Sequence, residues 1–433
     1  MTGESDIWSR QRAHLFPWVK PYYEEPLVLC SGQGVWARDA GDREYLDFFG
    51  GILTTSVGHC HPDVVAAVQA QAGRLGHTST LYLTEGQVEA AEILARLSPG
   101  ELRRSAFTNS GTEAIETAVT AACVRTGRSE VVALRYGYSG RSALASNLTG
   151  QASWRPLPSQ VVGIQHARAP YVYRSPLGTR ASEEEQTNFF IEDLVEVIET
   201  ATSGRPAALL VETVQGVGGC IVPPGGYLAR AAEVIRSYGG LFISDEVQTG
   251  FGRTGEYWFG IERSGVVPDV MVMAKGIANG YPVGATIASD DVADAWRSNS
   301  ISTFGGDPVC MAAAVATMTV MQAENVPSRA AERGADLRRA LQALASELPW
   351  IGDVRGLGLM QAIELVEDPA TKEPSPRRAR SVLEAAKREG LLVGLGGHHR
   401  NVVRIGPSLL ITPEEIEEGL TRLRRACHSA DTT

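Results

Sequence analysis

Three short apolar runs follow one another in the middle of the chain: AALLV at Ala207–Val211, LFIS at Leu241–Ser244 and VMVM at Val270–Met273. Apolar runs of this length, without polar alternation, are typical of strands that are buried on both faces of a sheet. Between the first two lies Tyr227–Tyr238, which has apolar residues at helical spacing and ends at a Gly-Gly pair. Strand, helix and strand in this order predict an α/β fold with a mostly parallel sheet flanked by helices.

The sequence on either side of these runs predicts the domain organisation. We expect residues 57–321 to form a large domain around the parallel sheet. Residues 322–433 contain charged amphipathic helices and predicted strands at Leu359–Leu365 and Val402–Ile405. Together with an N-terminal segment, residues 1–56, they are expected to form a small α+β domain built from both ends of the chain.

The composition excludes several classes of protein. The 433 residues are 43% hydrophobic and 21% charged, as in ordinary globular proteins. The net charge of −10 and the lack of a long basic block argue against a nucleic-acid partner. The longest apolar run, Cys310–Met321, is shorter than the roughly 20 residues that cross a bilayer, so no membrane association is expected. Six isolated cysteines and the absence of an apolar N-terminal leader predict a cytoplasmic location.

Lys275 and Asp245 stand at the ends of two of the predicted strands. Ligands bind at the carboxyl ends of strands in open α/β sheets, so the two side chains are expected to face one crevice. Burial makes a lysine nucleophilic by lowering its pKa, and a carboxylate holds a cationic ring nitrogen. These are the two protein groups that pyridoxal phosphate (PLP) chemistry requires most. The alternative interpretations are a solvated lysine at a strand end and an aspartate that caps a helix or turn.

Two further segments have the composition of ligand-binding loops. The sequence FTNSGTE at Phe107–Glu113 leads from a predicted strand into a predicted helix. Hydroxyls and free N–H groups at a helix N-terminus form an anion site, so Ser110 and Thr112 are candidates for binding a phosphate. The Gly pair of TFGGDP at Thr303–Pro308 lets the backbone approach a ligand closely. Each segment alone is also compatible with an ordinary helix cap or turn.

Six motifs in one order give the chain its resemblance to a known family. The motifs are GHCHP (Gly58–Pro62), NSGTEA (Asn109–Ala114), DEVQTGFGR (Asp245–Arg253), AKGIANGYP (Ala274–Pro282), TFGGDP (Thr303–Pro308) and RIGPSL (Arg404–Leu409). With these motifs the chain resembles the class III, fold type I PLP-dependent aminotransferases from about Pro21 to Arg424. GHCHP, VQGVGG at Val214–Gly219 and GLLVGLGG at Gly390–Gly397 indicate similarity to the mitochondrial-type alanine–glyoxylate group.

The resemblance implies a cofactor and a set of site residues. It implies PLP as the cofactor and Lys275 as the lysine that forms a Schiff base with PLP and later shuttles a proton. Asp245 would pair with the pyridinium nitrogen, and Gln248 would contact the phenolic oxygen. The remaining implied contacts are the PLP phosphate (Ser110, Gly111 and Thr112), the ring face (Tyr138), the phosphate of the neighbouring subunit's PLP (Thr303) and the substrate carboxylate (Arg404).

The chain departs from the family pattern at two positions. Ser139 stands where the family usually has His after the stacking aromatic residue, which leaves any role of that His in doubt. Val217 stands where the ornithine and 4-aminobutyrate members have a Glu that gates the carboxylate-binding arginine. An ungated Arg404 favours α-amino acids in both half-reactions over a specialised ω-amino acid.

The predicted activity is ping-pong transfer of an amino group from an amino acid or amine to an α-keto acid of the pyruvate or glyoxylate type. A PLP-dependent racemase or decarboxylase on the same scaffold is the alternative, and a non-catalytic PLP-binding regulator is a second one. The resemblance also implies a homodimer with shared active sites, and dimers paired into a tetramer remain open. No metal site is expected, because the adjacent residues of His59-Cys60-His61 do not easily reach one tetrahedral ion.

Overall fold

The computed structural model describes residues 4–158 and 161–431. The helices are α1 (Glu4–His14), α2 (Gly50–Leu53), α3 (Pro62–Ala72), α4 (Glu85–Leu97), α5 (Gly111–Thr126), α6 (Ala143–Leu148), α7 (Glu183–Ala201), α8 (Tyr227–Ser237), α9 (Asp290–Ala293), α10 (Pro308–Ala323), α11 (Val326–Glu347), α12 (Pro376–Arg388) and α13 (Pro413–Asp431). Short 3₁₀ helices span Ala152–Trp154, Val172–Arg174, Gly260–Ser264 and Lys275–Ala278.

The strands form three sheets. They are β1 (Leu29–Gln33), β2 (Trp36–Asp39), β3 (Glu44–Asp47), β4 (Arg104–Thr108), β5 (Val131–Leu134), β6 (Ile164–Ala167), β7 (Ala208–Glu212), β8 (Leu241–Asp245), β9 (Val270–Met273), β10 (Gly284–Ala288), β11 (Ile351–Leu357), β12 (Met360–Leu365), β13 (Leu391–Leu392), β14 (Gly394–Gly396) and β15 (Val402–Ile405).

The central sheet has seven strands in the order β4-β10-β9-β8-β7-β5-β6. Strand β10 pairs antiparallel with β4 and β9, whereas the other neighbouring strands pair in parallel. The three predicted apolar strands are β7, β8 and β9, which are next to each other. The prediction of an α/β fold with a mostly parallel sheet is therefore confirmed.

Helices cover both faces of this sheet, which explains why its strands lack polar alternation. Successive residues of a strand point to opposite faces. Phe242 accordingly packs in the cluster that includes Ala231 of α8, and Ile243 packs in the cluster that includes Ala118 of α5. At about 25 cal/mol per Å² of apolar area removed from water, burial on both faces supplies much of the free energy that stabilises the fold.

Two smaller sheets involve the ends of the chain. One has the order β1-β2-β3-β13, in which Leu391 pairs in parallel with Leu46, so the N-terminal hairpin strands meet a strand from the C-terminal region. The other has the order β11-β12-β15-β14. The predicted strands at 359–365 and 402–405 are confirmed as β12 and β15. The division into residues 1–56, 57–321 and 322–433 stays a prediction, and residues 1–3 and 432–433 of its outer parts lie outside the described residues.

Helix α2 is a left-handed turn next to the functional cavity described below. Its four residues, Gly50–Leu53, all have positive φ, including 69° at Ile52 and 60° at Leu53. Asp47 holds its start by accepting hydrogen bonds from the N–H groups of Phe49 and Gly50, both at 2.9 Å. The second carboxylate oxygen of Asp47 lies 2.9 Å from Nε2 of His59. His59, the first histidine of GHCHP, thus supports the turn through Asp47.

No single helix in residues 4–158 and 161–431 is long and apolar enough to cross a membrane. Helices α10 and α11 meet that test only as a pair, and they are bent by 66° relative to each other. Helix α10 packs against α3 and α4, and its Met311, Met318 and Met321 are buried in the main core.

Candidate active site

A cavity of about 320 Å³ lies where β7, β8 and β9 end. The carboxyl ends of parallel strands meet at one edge of a sheet, which is where α/β proteins bind ligands. The lining residues include seven that were predicted from the sequence and four that were not predicted. They are Ser110, Gly111, Thr112, Tyr138, Asp245, Gln248 and Lys275, and Thr54, Asn109, Arg141 and Glu212.

Lys275 is the first residue of the 3₁₀ helix that follows β9, and its φ is +46°. A positive φ is uncommon for a residue with a side chain and marks a position whose conformation the surrounding structure imposes. Burial lowers the pKa of Lys275 to about 8. The positive charge of Arg404 also lowers this pKa, whereas the carboxylates of Asp245 and Glu212 raise it. The amine therefore loses its proton far more readily than an exposed lysine does.

Asp245 ends β8 and is only 3% exposed. One carboxylate oxygen accepts a hydrogen bond from the N–H of Val247 at 3.0 Å. Burial and the neighbouring Glu212 raise the pKa of Asp245 to about 8, against the effects of that hydrogen bond and of Lys275. A carboxylate in this environment is stabilised as an anion when a cation is placed against it.

The N-terminus of helix α5 lines the other side of the cavity. Ser110 is its N-cap, and the hydroxyl accepts from the N–H of Glu113 at 3.4 Å. The Thr112 hydroxyl lies 2.7 Å from the Ser142 hydroxyl and accepts from the N–H groups of Arg141 and Ser142, both at 3.3 Å. The positive end of a sixteen-residue helix, with hydroxyls beside it, is a site for an anion such as a phosphate.

Arg404 is not among the residues that line the cavity, but it is hydrogen-bonded to Gln248, which is. It lies on β15, is only 2% exposed, and donates from Nη2 to the side-chain oxygen of Gln248 at 2.5 Å. Its guanidinium carbon is 5.6 Å from the ring centre of Phe49. Among the described residues Arg404 makes no ion pair, and its Nε has no hydrogen-bond partner. The guanidinium therefore retains donors that a carboxylate would satisfy.

The family model for class III aminotransferases matches residues 20–427. The chain belongs to the class III aminotransferases. It is 39% identical over 412 residues to alanine–glyoxylate aminotransferase 2 homolog 2, mitochondrial, from Arabidopsis thaliana, which covers 95% of this chain and 85% of the relative.

Two solved structures of related enzymes superpose on almost the whole of this aminotransferase. An (S)-enantioselective omega-transaminase from Thermomicrobium roseum has a TM-score of 0.92 at 33% identity, covering 99% of both chains. An amine transaminase from an uncultivated Pseudomonas species, solved in its PLP-bound form, has a TM-score of 0.90 at 31% identity, covering 96% of this chain and 98% of the other. These findings support transamination and not the racemase or decarboxylase alternative.

The comparisons overturn one prediction. The relatives from Arabidopsis thaliana and Homo sapiens are both named as mitochondrial proteins, so the prediction of a cytoplasmic location is wrong as drawn from the composition. Isolated cysteines indicate a reducing environment and do not distinguish between compartments that share one.

The class III aminotransferases depend on PLP, and the cavity of this aminotransferase fits that cofactor. The buried Asp245 has a raised pKa and suits a cationic ring nitrogen, and Lys275 has a lowered pKa and suits an aldehyde. The helix N-terminus at Ser110–Thr112 suits a phosphate dianion. Gly111 matters here, because a Cβ at this position would lie 3.3 Å from a methyl carbon of Val247 and would narrow the cavity.

Tyr138 is held in the aminotransferase cavity by Glu212, a residue that was not predicted from the sequence. The Glu212 carboxylate accepts from the N–H of Tyr138 at 2.9 Å and from the N–H of Gly216 at 2.8 Å. Burial raises the pKa of Glu212, although these two hydrogen bonds and the positive charges of Lys275 and Arg404 lower it. The Tyr138 ring packs edge-on against Trp154 at 5.3 Å. Glu212 directly follows AALLV as Asp245 follows LFIS, and that signal was available in the sequence.

Thr303 lies outside the cavity of its own chain, whereas Arg141 lines the cavity although it was not predicted. Thr303 is exposed and does not line the cavity of its own chain. The next residue, Phe304, accepts through its carbonyl from the side-chain amide of Asn109 at 2.9 Å, which ties this loop to the cavity edge. Arg141 was not predicted, yet it lines the cavity with an exposed side chain, and its guanidinium carbon lies 5.3 Å from the ring centre of Trp18.

Glu246, which directly follows Asp245, is a structural residue beside the site. It is 1% exposed, and each of its carboxylate oxygens accepts two hydrogen bonds. One oxygen accepts from the Ser244 hydroxyl at 3.1 Å and the N–H of Ile261 at 2.8 Å. The other accepts from the Thr249 hydroxyl at 2.5 Å and the N–H of Gly260 at 2.9 Å. These four bonds fix the segment that carries Asp245 and Gln248.

We expect Glu246→Gln to lower the free energy of unfolding by about 1–3 kcal/mol, because the amide nitrogen would face two donors that are then left unsatisfied. Urea denaturation of the holoenzyme, followed by circular dichroism, measures this loss. Glu256→Gln is the matched control, since Glu256 forms an exposed ion pair with Arg263 and its loss should change stability by less than about 0.5 kcal/mol. An equal loss in the two variants would contradict the role of Glu246.

Proposed function

We propose that this aminotransferase uses an α-amino acid, L-alanine or one of similar size, as the donor and glyoxylate or pyruvate as the acceptor. The observation that carries the proposal is the buried Arg404 beside the cavity, whose Nε has no hydrogen-bond partner among the described residues. A guanidinium with free donors binds a carboxylate through two parallel hydrogen bonds. Val217 stands at the position of the gating Glu, so no carboxylate of that loop competes with the substrate.

We infer the following roles for the residues around the cofactor. Ser110, Gly111 and Thr112 would hold the phosphate, and Tyr138 would cover one ring face. Asp245 would hold the ring nitrogen in its protonated form, and the amide nitrogen of Gln248 would donate to the phenolic oxygen while its side-chain oxygen accepts from Arg404. When bound, PLP supplies an aldehyde that condenses with amines and a ring that accepts electrons.

The remaining chemistry is proton transfer and orientation by the protein. Lys275 would take the proton from Cα of the donor at Nζ and return it later, and a pKa of about 8 suits both directions near neutral pH. Arg404 would fix the donor by its carboxylate so that the Cα–H bond faces Lys275. The same arginine would then orient the keto acid in the second half-reaction, which is why a ping-pong cycle with one carboxylate subsite fits this site.

An exposed apolar surface supports the homodimer that the family resemblance implies. It consists of Leu81, Tyr82, Leu83, Ile301 and Phe304, which are between 59% and 97% exposed. Thr80 donates to the carbonyl of Ser302 at 3.4 Å, so the two segments of this surface adjoin. Large exposed apolar patches mark protein interaction sites. Thr303 lies within this surface, and we propose that it reaches the phosphate site of a second copy of the chain.

The proposed function is tested by the visible absorption of the purified holoenzyme. We expect L-alanine to bleach the band of the bound cofactor, and glyoxylate added after removal of alanine to restore it. β-Alanine serves as the matched control, because its carboxylate is one carbon further from the amine. Bleaching by β-alanine or by a simple amine but not by L-alanine would contradict the proposal.

A further inference from the structure

A buried ionic cluster lies outside the cavity, on the strand next to the one that carries Arg404. At its centre is Glu364 of β12, whose side chain is fully buried. Its carboxylate contacts Nη2 of Arg174 at 2.5 Å and Nη1 of Arg355 at 2.7 Å. It also accepts from the Tyr171 hydroxyl and, at 3.2 Å, from the side-chain amide of Asn401. None of these residues lines the cavity.

The partners of Glu364 come from separate parts of the fold. Tyr171 directly precedes the 3₁₀ helix that follows β6 and Arg174 ends that helix, whereas Arg355 lies on β11 and Asn401 immediately precedes β15. Burying charges in this way costs free energy, and an apolar core of equal volume is often as stable or more stable. The Glu364 carboxylate accepts hydrogen bonds from Tyr171, Arg174 and Asn401, and buried bonds of this kind fix the groups that make them relative to each other. The cluster is therefore better suited to holding segments in position than to stabilising the fold.

One of these segments is the strand that carries Arg404. Asn401 donates to Glu364 and also to the carbonyl of Leu365 at 2.8 Å, which fixes the start of β15 against β12. Three residues further along β15, Arg404 pairs with Ala362 of β12 and with Gly394 of β14. The pairing of β15 that begins at Asn401 therefore also fixes the backbone of Arg404, three residues away on the same strand.

The second segment is the loop of residues 214–221, which follows β7. Arg355 donates from Nε to the carbonyl of Gly219 at 2.7 Å, and Gly397 donates to the carbonyl of Val217 at 2.9 Å. In the same loop, a Cβ added to Gly216 would lie 2.4 Å from the side-chain oxygen of Gln248. The loop therefore contacts Gln248, which is the hydrogen-bond partner of Arg404.

We propose that Glu364 is a positioning residue for the carboxylate subsite, which it fixes from two sides: through Asn401 and β15 to Arg404, and through Arg355 and the 214–221 loop to Gln248. This inference rests on the proposed function, because it takes Arg404 as the group that binds the substrate carboxylate. It adds a set of buried residues, remote from the cofactor, that determine how well the enzyme distinguishes amino acids from amines.

The test is the first half-reaction of Glu364→Gln holoenzyme under single-turnover conditions. Gln keeps the shape of the side chain and removes the charge that holds Arg174 and Arg355. We expect the apparent dissociation constant for L-alanine to rise by about tenfold, because small misplacement of a substrate-orienting group costs up to about 10²-fold. For isopropylamine, in which a methyl group replaces the carboxylate, the rate constant should stay within about twofold of the original.

Two controls separate the outcomes. Glu347→Gln removes the ion pair that joins α11 to α13, in which Glu347 lies 2.8 Å from Arg424. It should leave the kinetic constants for L-alanine and isopropylamine unchanged. Arg404→Lys should weaken L-alanine binding whatever the role of Glu364. If Arg404→Lys leaves L-alanine binding unchanged, the proposed function itself fails. If it weakens binding and Glu364→Gln does not, only the positioning role of Glu364 fails.

A purely structural role for Glu364 gives a different result. The melting temperature of Glu364→Gln would then fall, and the kinetic constants for L-alanine and for isopropylamine would change by the same factor. This outcome overturns the inference. Should that variant not yield folded enzyme, Tyr171→Phe removes one uncharged donor to Glu364 and decides the question. A selective rise in the dissociation constant for L-alanine supports the positioning role, and an unchanged constant overturns it.

Discussion

Lys275→Ala is expected to lower the turnover of L-alanine with glyoxylate by about 10³-fold or more, because a positioned acid–base group alone contributes about 10²–10⁴-fold. The side chain has a pKa lowered to about 8 by burial, and the removal of Nζ leaves the cavity without an amine near Asp245. Steady-state kinetics of the purified variant, loaded with PLP, measure the loss.

The experiment has a control in the same chain and a rescue. Lys20→Ala removes an exposed lysine of the N-terminal segment and should keep full activity. Methylamine added to Lys275→Ala should restore part of the turnover, since it supplies the missing amine in a cavity of about 320 Å³. Turnover of Lys275→Ala near that of the unaltered enzyme would refute the role of this lysine.

Asp245→Asn is expected to lower kcat on the order of 10²- to 10³-fold, since breaking one half of a buried charge pair costs about 3–5 kcal/mol. Asn keeps the shape and the hydrogen bond from Val247 but lacks the negative charge on which the proposed pairing of Asp245 with the ring nitrogen depends. Measurement of kcat together with PLP content shows whether the cofactor is retained while its reactivity is lost.

Asp269→Asn is the matched control for Asp245. Asp269 accepts from the N–H of Phe242 at 2.8 Å, at the start of the same strand whose end carries Asp245. Its replacement should affect stability and leave the kcat of the folded enzyme unchanged. Equal losses of kcat in the two variants would show that the effect comes from strand distortion and not from the charge of Asp245.

The strands and their polar ends were predictable because burial on both faces leaves a clear pattern. AALLV, LFIS and VMVM became three neighbouring parallel strands, and the side chains that follow them line one cavity. The same rule, applied to the residue after AALLV, identifies Glu212. It was overlooked because a single Glu at a strand end has no motif of its own.

Other features depend on contacts that no local pattern contains. Ile52 and Leu53 adopt positive φ, which aliphatic side chains rarely do, because Asp47 and His59 hold the turn in place. In the cluster at Glu364, the Tyr171 hydroxyl donates to Glu364 although 193 positions separate the two residues in the sequence. Arg141 enters the cavity from a loop, and loop conformation cannot be predicted from periodicity.

The pairing of Leu46 with Leu391 also bears on how the protein is made. Strand β3 emerges from the ribosome 345 residues ahead of β13, a delay of roughly 20–70 s at the usual elongation rate of about 5–20 residues per second. During that time the edge of β3 lacks its partner, and unpaired strand edges invite aggregation. The N-terminal sheet is therefore completed long after its hairpin has been made, and during that delay the free edge of β3 can pair with another chain.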